Sequence, residues 1–484
     1  MRNQAAARKA AARGKQPPPS LVEARRRRDG RQTAPRARVT GSKTMRLKDT
    51  GGKAGSSRSS RTRSSRTRPL LEAVPRDRTA AQVATGGLSG TGYAILGVTL
   101  LMFLYGMVMI FSASSGLAFH VYGSSYYFLL RQAIWFGIGI IAMVAMACTD
   151  YHRVAGVSPA LVAISLAALA AVPFFGSEAF GSKRAITIGP LVFQPSELAK
   201  MALLIFAVYI YSRREGKLEG WREIIMPVLL VTSIACVLII VEPDLGSMLI
   251  AAISIFVVLY LAGAPLRRLA VLAAAGAGAT AVFIFTSSYR KARFLAFLDP
   301  WGAPREGGFH IIQSMVALGS GSVRGLGLGM SRQKFFYLPN AHTDFIFSII
   351  GEEMGLIGTV AVLGLFAAFI YLGFKTAKGS PDRLGRLLAV GITCMVGIQA
   401  LVNMGAATGV LPITGVTLPF FSYGGSSLVI CMCLTGILIN ISRRDAGRVI
   451  ADYGRKERER GDMRRRNRRP SPPPARPGRG ARIA

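Results

Sequence analysis

Cysteine and histidine are both scarce, with five and four in 484 residues. The cysteines (Cys148, Cys236, Cys394, Cys431, Cys433) lie in or beside apolar runs. That placement excludes a disulfide framework and a zinc-ligand spacing, and it leaves buried structural thiols. No cluster of His, Asp and Glu demands a metal, and His310 and His342 fit ordinary interfacial positions as well as a ligand role. Large apolar side chains are nearly missing from the first 85 or so residues, which excludes the apolar core of a signal peptide. Such a stretch cannot bury enough surface to offset its ordering entropy, so it is expected to be disordered. Acids are scarce too: 24 Asp and Glu stand against 60 Lys and Arg, for a net charge of +36.

That charge is concentrated at the ends. Residues 1–80 hold 23 Lys and Arg against 5 acids, and residues 442–484 hold 15 against 5. Tails of this kind can bind nucleic acid, but contact with anionic lipid heads on the cytoplasmic side is the simpler reading, and no nucleic-acid partner is expected. Between them the mean hydropathy of +0.37 for the whole chain and repeated apolar runs of about twenty residues predict an all-α polytopic membrane protein. The predicted division is a basic tail over 1–88, a membrane domain over 89–443 and a second basic tail over 444–484.

Ten transmembrane helices are expected, at roughly 91–113, 127–148, 155–174, 195–212, 223–241, 245–264, 267–287, 344–374, 386–408 and 423–441. The eighth is long and opens on a re-entrant or interfacial turn. One set of alternate loops carries Arg213, Arg214, Lys217, Arg222, Arg267, Arg268, Lys375, Lys378, Arg383 and Arg386. The opposite set has only Lys183 and Arg184 outside its longest member. This bias places both termini in the cytoplasm and the large loop between the seventh and eighth helices, 288–343, on the extracytoplasmic side. That loop carries seven cations (Arg290, Lys291, Arg293, Arg305, Arg324, Arg332, Lys334) against the bias, which suggests an anionic ligand.

Polar groups at membrane depth mark cavities or partners, because they are expensive there. Glu197 and Lys200 are spaced to pair on one helix face. Glu242 and Asp244 bracket a proline between two spans, and Glu352 and Glu353 fall inside the eighth. For these groups, ion pairs that merely lock helices compete with a functional cavity. Asp344 stands apart: it follows Pro339 and precedes the apolar Phe345-Ile346-Phe347. One role for it is an N-cap. The other is a partly desolvated carboxylate whose pKa is raised, able to accept a proton near neutral pH.

The segments LPNAHTDFIFSIIGEEMGLIG (338–358), QPSELAK (194–200), EPDLGS (242–247), FHIIQSMVALGSG (309–321) and LPITGVTLPFFSYGGSS (411–427) resemble the SEDS family, which comprises the FtsW, RodA and SpoVE proteins of bacterial shape, elongation and division. The resemblance spans residues 90–443, and NMGAATGVLPITGVTLPF (403–420) is closer to the division-type members. It implies a ten-helix peptidoglycan glycosyltransferase of the bacterial cytoplasmic membrane, at the division septum. Such an enzyme polymerises lipid II on the outer face and pairs with a class B penicillin-binding transpeptidase, with other divisome proteins reached through the tails.

The family's motif makes Asp344 the catalytic residue, and an attacking sugar hydroxyl needs such a base. The implied substrate-binding residues are Lys183, Arg184, Gln313, Ser314, Arg324, Arg332, Lys334 and His342, the cations serving an undecaprenyl pyrophosphate leaving group. Glu197, Lys200, Glu242, Asp244, Glu352 and Glu353 are expected as structural or cavity charges. A divalent cation (Mg or Mn) bridging Asp344 and pyrophosphate is compatible with the chemistry. The chain departs from the family pattern at Lys183-Arg184-Ala185, where Arg-Arg-Trp is common. It departs again at Thr414, a lysine in some members, and at Asn340, a glutamate in many. A lipid II flippase and a non-enzymatic scaffold recruiting a transpeptidase are the alternatives from other classes.

Overall fold

The protein is described by a computed structural model over residues 88–179, 182–189, 191–213, 226–302, 304, 307–335 and 337–444. All of these belong to one of the chain's two compact units, Val74–Ala484. The expectations for the two tails, for Arg214, Lys217 and Arg222, and for Arg305 fall outside the described residues.

Helices occupy all ten expected places. They are α1 (Gly90–Tyr122), α2 (Tyr127–Cys148), α3 (Tyr151–Phe175), α4 (Pro195–Ser212), α5 (Met226–Val241), α6 (Leu245–Leu261) and α7 (Leu266–Phe285). After the long loop come α10 (Ile346–Gly379), α11 (Arg383–Ala407) and α12 (Gly425–Arg444). Seven of them are long and apolar enough to cross a membrane, while α5 and α6 are shorter apolar helices. The long loop itself contains α8 (Ser288–Leu298) and α9 (Phe309–Ser320).

Among the described residues the all-α expectation meets one exception, a small antiparallel sheet of β1 (Ser177–Ala179), β2 (Ser182–Ile188) and β3 (Leu191–Phe193) in the order β1-β2-β3. Ala185 pairs with Ser177 on one side of β2, and Ile186 pairs with Phe193 on the other. Short runs of β-branched residues broken by Gly and Pro favour a hairpin over a helix here.

Local chemistry sets the helix ends. Ser89, Asp150, Asp244 and Asp382 cap α1, α3, α6 and α11 by accepting a backbone N–H, and Pro195 opens α4, where a missing N–H costs nothing. The helix at the centre is α4, buried on most of its surface, including Ala199, Ala202, Leu204 and Ile205 at 0% exposure. By contrast α7 is buried only at Leu269.

Two stretches of irregular backbone lie within this bundle, and each is satisfied by protein, as non-helical chain at membrane depth requires. The first is the break in α10, where Gly355 takes φ 66, ψ −159, a conformation open only to glycine. Residues 322–327 run into the gap: Leu356 and Ile357 N–H donate to the Ser322 and Val323 carbonyls, while Leu326 and Gly327 N–H donate to those of Glu352 and Glu353, at 2.9–3.3 Å. A side chain at Gly355 would collide with the Gly325 backbone. The eighth span is therefore interrupted inside the helix as well as preceded by turns at 341–345.

The second stretch, 411–424, links α11 to α12 without a helix and buries Val416, Leu418, Phe420 and Phe421. Side-chain amides supply its missing partners. Asn403 donates to the Val416 carbonyl at 2.6 Å, Gln399 to Thr417 at 3.1 Å and Gln132 to Ser422 at 3.4 Å. Gln399 in turn accepts from Lys200 at 3.0 Å, and Lys200 pairs with Glu197 at 2.9 Å. The Glu197–Lys200 pair forms on one helix face, as its spacing predicts, and its consequence is to hold 411–424 in place.

Candidate functional site

A cavity of about 250 Å³ opens where β2, the foot of α10 and the 411–424 segment meet α2. Arg184, Gln194, Thr343, Asp344 and Gly415 line it, joined by Tyr127, Phe128, Arg131 and Trp135 of α2 and by Tyr423–Ser426. Small side chains make the room. Gly415 sits at φ 70, and a methyl placed on it would lie 3.3 Å from Nη1 of Arg184 and 3.8 Å from Oδ2 of Asp344. Arg184 and Asp344 therefore flank one point of the cavity wall.

Backbone contacts on both sides hold Asp344. Its N–H donates to the Asn340 carbonyl at 3.1 Å, and its own carbonyl accepts from Asn403 at 2.8 Å. The same Asn403 amide bonds Val416, so one side chain ties the acid to the irregular segment beside it. The N-cap position falls on Phe345 with no side-chain cap, so the capping role weighed for Asp344 is not the one it takes. Burial pushes its carboxyl up to about 6. Arg184 and Arg293 pull the other way, Asp244 adds to the rise, and a hydrogen bond with Thr343 lowers it. At pH 7 the group is ionised yet basic enough to take a proton.

The remaining acids divide by partner. Asp244 accepts from Gln194 at 2.9 Å, Ser196 at 3.0 Å and the Ser247 N–H at 3.1 Å, which binds the QPSE segment to the start of α6. Glu242 is 1% exposed with neither carboxyl oxygen hydrogen-bonded; burial, then the charge of Asp244, pushes it up to about 8, so it is mostly protonated at pH 7. Glu353 accepts from Ser112 of α1 at 2.6 and 2.7 Å and pairs with Lys334 at 3.0 Å. Glu352 accepts from the Ser331 hydroxyl and from the Arg332 N–H at 2.9 Å. These two glutamates fasten the 329–335 loop to the bundle.

Several implied substrate contacts therefore lie elsewhere. Lys334 is buried, its ammonium consumed by Glu353, Ser112 and the Gly329 carbonyl. Arg324 and Arg332 are exposed and do not line the cavity. Ser314 is fully buried, bonded to Ser348 and the Ala407 carbonyl at 2.6 Å each, where it locks α9 to α10 and α11; Gln313 beside it is not a lining residue either. His342 is packed between Phe128 and Tyr423, and burial holds it down at about 4, neutral and outside the cavity lining. Lys183 stands in β2 opposite Glu178 in the backbone register of the β1–β2 ladder. Of the implied cations whose side chains are described, Arg184 lines the cavity and Arg324, Arg332 and Lys334 do not, while the exposed Arg293 bears on Asp344 electrostatically.

Sequence reasoning missed Arg131 and the aromatic residues around it. The signal was available: an arginine inside the expected span 127–148 is an intramembrane charge, and such a charge points to function. The oxygens of Asp244 are taken by three donors, and among the described residues no group of three or more His, Cys, Asp or Glu is arranged to hold a metal.

Residues 93–447 match the family model for the cell cycle proteins FtsW, RodA and SpoVE. The probable peptidoglycan glycosyltransferase FtsW of Geobacter sp. (strain M18) is 38% identical over 362 residues, 74% of this chain and 99% of the relative. Stage V sporulation protein E of Bacillus subtilis (strain 168) is 38% identical over 348 residues, 72% and 95% of the two chains. Among solved structures, a chain of a peptidoglycan synthase complex, described for its coordination of polymerization and crosslinking, superposes with a TM-score of 0.60 at 30% identity, covering 74% of this chain and 98% of that one. The rod shape determining protein RodA of Thermus thermophilus gives 0.54 at 29% identity, covering 73% and 96%.

Proposed function

The chain belongs to the FtsW/RodA/SpoVE family of cell cycle proteins, and on that premise we propose that it is a peptidoglycan glycosyltransferase that polymerises lipid II with Asp344 as general base. The observation that carries this reading is an ionisable carboxylate, raised toward neutrality, open to a cavity it shares with an arginine.

In the proposed step the Asp344 carboxylate takes the proton of the acceptor sugar hydroxyl as its oxygen attacks the anomeric carbon of the donor. The bond from that carbon to the phosphate oxygen breaks, and the diphosphate leaves with the electron pair. Arg184, with Arg293 of the long loop, supplies fixed positive charge where negative charge develops. Asn403 and the Asn340 carbonyl keep the base from drifting, which matters because small misplacements of a reacting group are costly. The loop-charge bias supports a reaction at the outer face with both termini cytoplasmic. The division role rests on the 403–420 segment, and a transpeptidase partner on the likeness to a chain from a polymerising and crosslinking complex.

Purified full-length chain given lipid II is expected to make glycan polymer with no other enzyme present, and Asp344→Asn to make none. A transporter or a scaffold makes no polymer in either form, so a folded wild-type protein without product overturns the reading.

A further inference from the structure

Among the described residues, the cation of the cavity wall that the mechanism above leaves unused is Arg131, on the second turn of α2. Its guanidinium carbon lies 4.6 Å from the centre of the Tyr127 ring, and its side chain hydrogen-bonds Tyr423. No carboxylate pairs with it among the described residues, whereas Lys200, Lys334 and Arg444 each have one. A guanidinium held by an aromatic face and a hydroxyl is oriented without being neutralised. On a membrane-crossing helix such a charge calls for an anion from outside the chain.

The surroundings indicate what else that anion carries. Tyr122 stacks on Tyr127 with ring centres 3.7 Å apart, and Phe128 and Trp135 line the same cavity. These flat amphipathic faces suit sugar rings, which present C–H faces and hydroxyl edges. The charges that act most strongly on Asp344 are Arg184, Arg293 and Asp244. The cavity thus has one cation, Arg184, beside Asp344 and a second, Arg131, in the α2 aromatic patch.

Joining two lipid-linked sugars requires two anionic molecules at once, of which one loses its diphosphate and the other keeps all its charges. We propose that Arg131, oriented by Tyr127 and Tyr423, binds an oxyanion that the acceptor substrate retains through the reaction, while Arg184 serves the departing diphosphate. The inference rests on the glycosyltransferase reading. The oxyanion has two sources, the acceptor's own diphosphate or a carboxylate of its peptide, and both present the paired oxygens that a guanidinium fork matches.

Binding separates this inference from the catalytic one. Full-length protein carrying Asp344→Asn is titrated with lipid II in detergent micelles, and two bound molecules are expected. Adding Arg131→Gln weakens one of the two by about tenfold to a hundredfold, the usual range for a lost hydrogen bond to a charged group, and spares the other. Arg131→Lys keeps the charge, loses the fork and falls between. In the otherwise wild-type enzyme Arg131→Gln raises KM by the same factor while kcat stays within a few-fold.

Repeating the titration with a lipid-linked disaccharide that lacks the peptide identifies the source. A loss that persists assigns the diphosphate, and a loss that vanishes assigns the peptide carboxylate. Unchanged affinity at both sites, with melting temperature unchanged, overturns the proposal and makes Arg131 a packing residue. Should Arg131→Gln fail to fold, Arg131→Lys and Tyr423→Phe decide by the same readout. Polymerisation by the Asp344→Asn protein would overturn the base assignment alone.

Discussion

Asp344 and the pair Glu352–Glu353 sit at the two ends of one helical segment, and they teach opposite lessons about acid in a membrane bundle. Glu353 is fully buried, with both oxygens taken by the Ser112 hydroxyl and one also by the Lys334 ammonium. Glu352 accepts from a hydroxyl and from backbone N–H groups of 332 and 333. Asp344 has the local Thr343 bond at its side chain, faces a cavity, and stands near Arg184 at the space that Gly415 leaves open. An acid whose bonding capacity is used up by the fold is architecture. An acid held by its backbone, with its carboxylate left to meet a ligand, is available for chemistry.

The sharpest break of this comparison is Asp344→Asn. Polymerisation is expected to fall by about a hundredfold to ten-thousandfold, the usual cost of removing a positioned base. Stability should move the other way or not at all. The carboxyl is raised in the folded protein, so it holds its proton more tightly there than in the unfolded chain, and stability declines as pH rises from about 4 through about 6. Removing the charge removes that penalty at pH 7. A melting temperature well below wild type would place Asp344 with the architectural acids.

The opposite pattern is expected at Glu353. Glu353→Ala leaves the Lys334 ammonium buried without its counter-charge, a loss of about 3–5 kcal/mol in stability, read by thermal or denaturant unfolding in detergent. The double variant Glu353→Gln with Lys334→Met should recover much of that loss and retain activity. Recovery of fold without activity would show that this pair also takes part in the reaction.

The pH profile of the wild-type enzyme refines the contrast further. With a base near 6, kcat/KM should drop about tenfold per pH unit well below that value and level off above it. A profile flat down to pH 4 removes Asp344 as the titrating group. The smallest effects are expected at the exposed loop cations: Arg324→Ala and Arg332→Ala should each change KM by about twofold or less, as surface substitutions do. A tenfold rise at either one would mean that the loop closes over the cavity with substrate bound.

The sequence by itself determined the class and the positions of the membrane helices, because a bilayer demands apolar runs of a set length and each run carries that demand locally. It also marked Asp344, since an acid between a proline-limited turn and an apolar helix is conspicuous in one dimension. The Glu197–Lys200 pair was legible for the same reason, its spacing being a property of one helix. What only the tertiary structure decided was the partner of each charge. Arg184, Arg324, Arg332 and Lys334 are alike as letters, but the fold turns Arg184 into the cavity beside Gly415, leaves two in the open and spends Lys334 on Glu353. Ser314 and His342 likewise read as site residues and pack as locks. Arg131 and Asp344 are more than two hundred residues apart, and they share a cavity because α2, β2 and the 411–424 segment converge there. Pairing depends on which side chains meet across elements, and that is fixed by packing between distant parts of the chain, which no local pattern records.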